Sequence, residues 1–308
     1  MIIEVIQTLL ILATAPLVTG LIRKFKAVFQ GREGPSVLQP YHDLAKLFHK
    51  DSVVSEDTSW FFMAAPYVCM TAVVTAALMV PFFTYRSANF IGDLIVVVYL
   101  FGMMRFFLAL SGLDAGSSFG GMGSSREMTI SILVEPTILL SIFTMALISG
   151  TTSLGQISEG IATTGLDLVR PALFLAFAAF FISTLAENAR VPVDNPATHL
   201  ELTMIHEAMI LEHSGKQLAL MEWSNMTKLL LYMAIMANIF FPWGLATELT
   251  AAALAVGLIA ISIKIVLFSL AIAIIESSIA KMRLFRLPNL LTVSFTLSLL
   301  AVMSFYIL

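Results

Sequence analysis

The chain has 308 residues, of which 58% are hydrophobic and 12% are charged, with a formal net charge of −3. Its mean hydropathy of +0.92 is typical of polytopic membrane proteins and excludes an ordinary soluble domain. The slightly acidic charge and the absence of a basic aromatic motif disfavour a nucleic-acid partner, and a single cysteine, Cys69, excludes a disulfide framework.

Apolar segments long enough to cross a bilayer recur along the whole chain. A spanning helix needs about 20 predominantly apolar residues. We therefore predict an all-α polytopic membrane protein that forms a single membrane domain over 1–308. The candidate spans are 2–22, 60–84, 91–112, 127–149, 170–187, 225–246, 250–275 and 289–307. No internal repeat is visible, which disfavours an inverted-repeat transporter.

The basic residues predict how the chain is oriented in the membrane. Of the 17 lysines and arginines, all but Arg86, Arg105, Arg170 and Lys264 fall in or beside alternate connections. The positive-inside rule then places both termini outside and three connections on the cytoplasmic side, namely 23–57, 111–126 and 187–224.

The first cytoplasmic connection contains the sequence GREGPSVLQPYHDLAKLFHKD. After its glycines and prolines, Leu44, Leu47 and Phe48 recur at helical spacing among polar residues. This pattern predicts a short amphipathic helix over 41–50, lying at the membrane surface. Such a helix serves either as a surface anchor or as a docking surface for a soluble partner.

The second cytoplasmic connection, 111–126, is rich in glycine and serine. This composition indicates either a backbone that folds closely under another subunit or a flexible linker. It leads into Glu127 and Glu135, which are eight residues apart and therefore share one helix face. Pro136 follows Glu135 directly and is expected to kink the helix beside that carboxylate.

The third cytoplasmic connection carries most of the ionisable residues. Glu187, Arg190 and Asp194 would share a face of a helix, but Pro192 and Pro196 make a continuous helix unfavourable. We therefore expect a broken segment that folds back into the protein, which a membrane tolerates where the segment lines a polar cavity.

A second helix is expected to begin near His199, with Asn195 or Thr198 as its cap and with Glu201 on a polar row. The histidines and carboxylates that follow are residue types that could bind a metal ion. However, neither an H-x-x-x-H nor an E-x-x-H spacing occurs, so we expect no metal ligands in this chain.

Arg105 and Lys264 lie well inside predicted spans, and Glu276 follows directly after the span 250–275. An unpaired charge in hydrocarbon is costly, so these groups must pair with carboxylates such as Glu135 and Glu187 or face a hydrated path. The first alternative is a static ion pair, and the second is a proton relay. Lys264 suits a relay because a desolvated lysine loses its proton readily.

Two motifs resemble a known family. GREGPSVLQPYHDLAKLFHK resembles the first-loop signature R-x-G-P-x-x-x-x-Q-x-x-x-D-x-x-K-L of the subunit-1 (H-type) membrane protein of respiratory complex I. That signature is shared by energy-converting membrane-bound nickel–iron hydrogenases and formate hydrogenlyases. LAENARVPVDNPATHLEL similarly resembles the family motif A-E-x-x-R-x-P-F-D-x-x-E-x-E-x-E-L. The resemblance extends over essentially the whole chain.

The departures from the second motif indicate a branch of that family. Ala197 and His199 stand where the quinone-linked complexes usually carry acidic residues, and Val193 replaces phenylalanine. The segment VDNPATHLELTMIHEAMILEHSG, together with Lys264 and ESSIAKMRLFRLP, resembles the hydrogenase and formate hydrogenlyase branch. A bound quinone is therefore not expected.

The resemblance implies a non-catalytic membrane subunit of an oxidoreductase complex in the cytoplasmic (inner) membrane. The chain would join a redox arm on the cytoplasmic side to antiporter-like membrane subunits. That arm would comprise hydrogenase large and small subunits and iron–sulfur subunits, with the iron–sulfur clusters and the nickel–iron centre outside this chain, which would bind no cofactor itself.

The resemblance also assigns residues to two sites, a path for proton or sodium translocation and a loop that docks the partner subunits. Matching positions place Glu135, Glu187, Arg190, Asp194 and Glu201 in the path, and the intramembrane charges Arg105, Lys264 and Glu276 are added to it. The docking loop would comprise Arg32, Gln39, Asp43 and Lys46.

Two other functions remain open on the sequence. One is the quinone-chamber subunit of a complex-I-type NADH:quinone dehydrogenase. The other is a self-contained ion or solute transporter, which the absence of internal symmetry and the elaborate cytoplasmic connections disfavour.

Overall fold

The computed structural model describes residues 2–85, 94–164, 171–195, 204–248 and 250–307. Over these ranges the backbone is helical apart from its connections and one isolated bridge between Thr84 and Ala246. The helices are α1 Ile2–Phe29, α2 Gln39–Phe48, α3 Trp60–Met79, α4 Leu94–Asp114, α5 Ser118–Ser149, α6 Leu154–Thr164, α7 Pro171–Glu187, α8 His206–Ile210, α9 Gly215–Ile235, α10 Ala251–Ser278 and α11 Leu287–Ile307.

The predicted all-α polytopic fold is confirmed. Within the described ranges, six helices are long and apolar enough to span a membrane: α1, α3, α4, α5, α10, and α11 with the 3₁₀ turn Leu284–Arg286 before it. The apolar helix α7 has 17 residues and is shorter than the six. The predicted span 225–246 corresponds to the second half of α9 and the π-helical turn Met236–Phe240.

The second half of helix α9 is buried on all sides by protein. Its last two turns and the π-helical turn are almost fully inaccessible, and the helix packs against α1, α3 and α10. Tyr232 stacks on Phe101 of α4 with ring centroids 4.7 Å apart. Asn238 Nδ2 donates to the carbonyl oxygens of Pro81 and Phe82 at 2.8 Å. A helical stretch that is apolar all round, as residues 229–237 are, belongs in such an interior position, so the second half of α9 lies at the centre of the bundle.

The predicted amphipathic helix is confirmed as α2, shifted by two residues toward the N-terminus. Pro40 lies in its first turn, where its missing N–H is tolerated. Leu44 is buried, and Phe48 packs edge-on to Trp223 with centroids 6.3 Å apart. The apolar face of α2 therefore covers α1 and α9 of the protein itself.

The prediction that 111–126 is a loop is wrong. Helix α4 continues to Asp114 and α5 begins at Ser118, so only three residues join them. Ser117 caps α5 by accepting the N–H of Gly120. The small residues allow α4 and α5 to pack closely, because a Cβ on Gly120 would lie 2.3 Å from the carbonyl oxygen of Gly112.

The other two connections that were predicted to be cytoplasmic also contain more helix than a loop would. The first includes the end of α1 and all of α2, and the third includes the first turns of α9. In the third, α7 ends at Glu187 and the chain turns through 188–195, so the predicted break after Glu187 is confirmed. Residues 196–203, where a helix near His199 was expected, lie outside the described residues, and α8 begins at His206.

We expect Gly120→Ala to destabilise the protein by about 1–3 kcal/mol, because the added methyl group meets backbone of α4. The adjacent Gly121→Ala is a matched control, since a Cβ there meets nothing within 4 Å. Glycine inside a helix is less favourable than alanine, so Gly121→Ala should be neutral or slightly stabilising. Thermal melting of the detergent-purified protein tests both, and equal melting temperatures would contradict the packing argument.

Candidate functional site

A cluster of buried ionisable side chains surrounds Arg105 of α4. Its Nη1 binds Glu135 Oε1, its Nη2 binds Glu187 Oε2, and its Nε lies 3.7 Å from Glu127 Oε1. Arg105 itself is 3% exposed. Helix α5 supplies Glu127 and Glu135 from one face, as their spacing predicts, and Glu187 comes from the last turn of α7.

Lys228 of α9 supplies a second cation to this cluster. Its Nζ lies 2.7 Å from Glu187 Oε1 and donates to the backbone carbonyl of Glu187 at 2.9 Å. Glu187 is therefore held between two cations, and both its side chain and the end of α7 are fixed. Removing one partner of a buried pair leaves an uncompensated charge, which is strongly destabilising.

Glu135 differs from the other cluster members in its exposure. Its side chain is 47% exposed, whereas those of Glu127, Glu187 and Lys228 are buried. It lies on the span α5 directly before Pro136. One end of the cluster therefore reaches the outer surface of this chain.

A second group of charges lies where α1, α7 and α10 meet. Glu276 of α10 is 6% exposed. Its Oε2 lies 3.0 Å from Lys26 Nζ at the end of α1, and its Oε1 lies 3.3 Å from Arg190 Nη1, just beyond α7. These ion pairs tie together three helix ends at the same side of the bundle.

Asp194 organises the turn that leads to α8. Its Oδ1 lies 2.6 Å from Lys281 Nζ and accepts the backbone N–H of Asn195 at 2.8 Å. Its Oδ2 accepts the backbone N–H groups of Ile205 and His206 at 3.0 and 3.3 Å. A carboxylate on the first N–H groups of a helix is stabilising, so Asp194 positions α8.

A cavity of about 680 Å³ lies between these groups. Its wall includes backbone and side chains of α1, of the turn after α7, and of α8, α9 and α10. The ionisable lining consists of five basic and five acidic residues in addition to His206, namely Arg23, Lys26, Arg32, Arg190, Lys228, Glu187, Asp194, Glu207, Glu222 and Glu276. A space this polar suits water and exchangeable protons better than an apolar ligand.

Two groups of α8 have shifted pKa values. Burial, with Glu222 and Asp194 nearby, raises the pKa of Glu207 to about 7. Burial, with Lys228 nearby, lowers the pKa of His206 to about 4. His206 is therefore neutral at pH 7, and its Nε2 accepts a hydrogen bond from Asn225 Nδ2 at 2.5 Å. Glu207 is therefore a cavity group that titrates near neutral pH.

We expect the stability of the protein to depend on pH through Glu207. Its pKa is raised in the folded state from an ordinary 4.5 to about 7, so the folded state holds the extra proton between these values. The neutral carboxyl contributes about 1–2 kcal/mol to the free energy of unfolding for this partly buried group. That contribution is complete below pH 4.5 and is lost as pH rises through 7.

Glu207→Gln should remove that pH dependence, because glutamine stays neutral. Its melting temperature should exceed that of the parent protein above pH 7 and match it near pH 4.5. Melting curves between pH 4.5 and 8 test this expectation, and an unchanged difference across the range would refute it.

The structure brings together most of the residues that the sequence assigned to the ion path. Arg105, Glu135 and Glu187 form one cluster, and Arg190 and Glu276 form another. Asp194 lies on the cavity wall between them. Glu201 lies outside the described residues, so its position stays a prediction.

Lys264 lies apart from the clusters. It is 3% exposed, and its Nζ lies 4.9 Å from the centroid of the Trp243 ring. No carboxylate pairs with it among the described residues, and Glu276 is twelve residues further along α10, about 18 Å away along the axis. Of the two alternatives for Lys264, an ion pair with a carboxylate is not found in the described part of the chain, and its role in a proton relay stays a prediction.

The four residues assigned to the docking loop lie on or before α2. Gln39 Nε2 donates to Asp43 Oδ1 at 2.9 Å, and Asp43 lies 3.9 Å from Arg23 of α1, where both side chains are nearly half-exposed. Arg32 lines the cavity, and Lys46 is exposed on α2. Their role in docking stays a prediction.

Sequence reasoning missed three cations that complete the site, Lys26, Lys228 and Lys281. Lys228 carried a usable signal, because it lies close to the start of a predicted apolar span, where a cation is unfavourable unless it is paired. Lys26 and Lys281 follow spans and therefore look like ordinary positive-inside residues. Among the described residues, no group of three or more His, Cys, Asp or Glu side chains is arranged to hold a metal ion.

The fold and the buried clusters define a polytopic helical membrane protein with a chain of paired ionisable groups inside its bundle. The family model described as NADH dehydrogenase matches residues 2–306. The chain belongs to the NADH dehydrogenase subunit 1 family.

Similarity to individual relatives extends over almost the whole chain. Formate hydrogenlyase subunit 4 of Escherichia coli K12 is 36% identical, covering 97% of this chain and 96% of the relative. Hydrogenase-4 component C of the same organism is 34% identical, covering 96% and 92%. The H-type subunit of the NADH-quinone oxidoreductase of Rubrobacter xylanophilus is 29% identical, covering 75% and 71%.

A solved structure shares the fold. It is that of the membrane-bound sulfane sulfur reductase, an archaeal respiratory membrane complex. A chain in it is 21% identical and superposes with a TM-score of 0.82, covering 97% of this chain and 98% of that chain. This likeness shows the fold, and the relatives support a multi-pass membrane subunit of a multi-subunit oxidoreductase complex.

Proposed function

We propose that this chain is the membrane anchor and coupling subunit of a hydrogenase-type redox complex. In this role it links electron transfer in a hydrophilic nickel–iron hydrogenase arm to proton or sodium translocation through its intramembrane chain of ionisable residues. The observation that carries the proposal is the Arg105 cluster, which extends from the wall of the polar cavity at Glu187 to the half-exposed Glu135.

The charge balance of the cluster favours uptake of a proton. Three carboxylates, Glu127, Glu135 and Glu187, face two cations, Arg105 and Lys228. An excess of negative charge at membrane depth is unfavourable, so binding of one proton would balance the charges of the cluster. Arg105 contacts all three carboxylates. When one of them is protonated, Arg105 therefore interacts more strongly with those that stay ionised. Protonation at one end thus changes the electrostatic environment at the other.

The proposed partners follow from the similarity to the formate hydrogenlyase and hydrogenase-4 subunits. Hydrogenase large and small subunits and iron–sulfur subunits, which would carry the nickel–iron centre and the clusters, would dock on the cytoplasmic side of the inner membrane. The exposed Lys46 of α2, with Arg32, Gln39 and Asp43, supplies the contact surface. Antiporter-like membrane subunits would cover the face at Glu135, where a half-exposed carboxylate on a span is otherwise unfavourable.

The volume of the cavity favours a second candidate, the quinone-chamber subunit of a complex-I-type NADH:quinone dehydrogenase. About 680 Å³ is within the range of small-molecule sites. Half of its lining residues are ionisable, which opposes this candidate, because such sites are predominantly apolar. Stoichiometric quinone in the purified complex would favour the quinone chamber over the hydrogenase-type role.

We expect Glu187→Gln to reduce ion translocation at least about tenfold, while the complex still assembles, because Glu127 and Glu135 still balance the charges of Arg105 and Lys228. The amide keeps the shape of the side chain but cannot accept and release the proton at the junction of Arg105 and Lys228. Translocation is measured in proteoliposomes that contain the whole complex, and assembly by subunit content.

A matched control is Glu159→Gln on α6, where the same substitution affects an exposed residue outside both clusters. This control should pump normally. Unaltered pumping by assembled Glu187→Gln would refute the assigned path.

Lys264→Met tests the remaining intramembrane charge. Because no described carboxylate would be stranded, we expect this variant to assemble. If Lys264 belongs to the path, pumping should fall about as far as in Glu187→Gln, whereas redox activity measured with artificial electron acceptors should persist. Normal pumping would remove Lys264 from the path, and failed assembly would reveal a structural counter-ion role.

A further inference from the structure

An apolar groove lies between α5 and the beginning of α11, separate from the polar cavity. It has a volume of about 280 Å³. Ile130 and Leu133 of α5 form one wall, and Leu287 and Leu291 of α11 form the other. Among the described residues, no acidic side chain lines it. A groove of this size and chemistry accommodates part of an acyl chain.

Three cations lie around one end of this groove. Arg126 of α5 lines it and donates one hydrogen bond from Nη1 to the carbonyl of Met204 at 3.0 Å, which leaves other guanidinium donors available. Arg283 and Arg286 flank the lining residues Leu284 and Phe285 and are exposed. They stand three residues apart at a 3₁₀ turn, so they share one side of that turn.

The position of the groove is that of a bilayer boundary. The 3₁₀ turn joins the end of α10, where Glu276 binds Lys26, to the start of the span α11. Phe285 in that turn is 91% exposed. Exposed aromatic side chains beside arginines are typical of the interface between headgroups and hydrocarbon. The cations therefore lie at the depth of lipid phosphates, and the apolar walls lie at the depth of acyl chains.

We propose that this groove binds an anionic phospholipid, with its phosphate at Arg126, Arg283 and Arg286 and one acyl chain between α5 and α11. Charge complementarity selects the anionic headgroup, since neither Arg283 nor Arg286 has an ion-pair partner within the described ranges. The lipid would brace α11 against α5 at the same end of the bundle as the polar cavity.

Lipid-dependent melting of the delipidated, purified complex in detergent tests the site. Dioleoyl phosphatidylglycerol should raise the melting temperature by about 3 °C more than dioleoyl phosphatidylcholine. The double variant Arg283→Gln/Arg286→Gln should lose at least half of that difference. Lys216→Gln, an exposed cation at the start of α9, is the matched control and should keep it.

Two further experiments distinguish binding of a phosphate group alone from binding of a whole phospholipid. Free glycerol 3-phosphate should stabilise the parent protein no more than salt does, because it lacks the acyl chain. Leu133→Trp, which fills the groove, should reduce the number of phosphatidylglycerol molecules retained in native mass spectra while leaving melting in phosphatidylcholine unchanged.

Equal stabilisation of the parent by both lipids, or an unchanged response in the double arginine variant, would overturn the proposal. A photo-crosslinking amino acid in place of Phe285 provides an independent test. Capture of phospholipid supports the site, whereas capture of a protein subunit in the native membrane would show that a partner covers the groove instead.

Discussion

Arg105 is buried inside a helical bundle where water cannot solvate it, and this single charge constrains the structure around it. An unpaired guanidinium in such a place is unfavourable, so carboxylates must reach it from neighbouring helices. Glu127 and Glu135 approach from α5 and Glu187 from α7, and Lys228 then balances Glu187 from α9. Four helices, α4, α5, α7 and α9, are thereby held in one register.

Close packing makes that register possible. Helices α4 and α5 approach so closely at Gly112 and Gly120 that no Cβ fits between them. The buried second half of α9 fills the centre of the bundle, and α2 covers the polar first half. Charges on α1, the turn after α7 and α10 then close around a polar cavity rather than facing lipid. In the proposed coupling role, this arrangement joins a hydrated chamber to the half-exposed carboxylate at Glu135.

Local signals in the sequence predicted much of this. Length and apolarity located the helices of the membrane bundle, and the spacing of Leu44, Leu47 and Phe48 located α2. Charges inside apolar segments singled out Arg105 and Glu276, because each must be paired. The glycine-rich stretch before Glu127 was misread as a loop, since local propensity does not record how closely a neighbouring helix approaches.

The sequence by itself determined the membrane class, the family motifs and the requirement that intramembrane charges find partners. All of these depend on transfer of side chains between water and hydrocarbon, which composition and spacing report directly. Only the tertiary structure decided which charges meet. It paired Glu276 with Lys26, 250 residues away, placed Lys228 on Glu187 and left Lys264 over Trp243. Those choices depend on helix contacts between distant segments, and no local pattern encodes them.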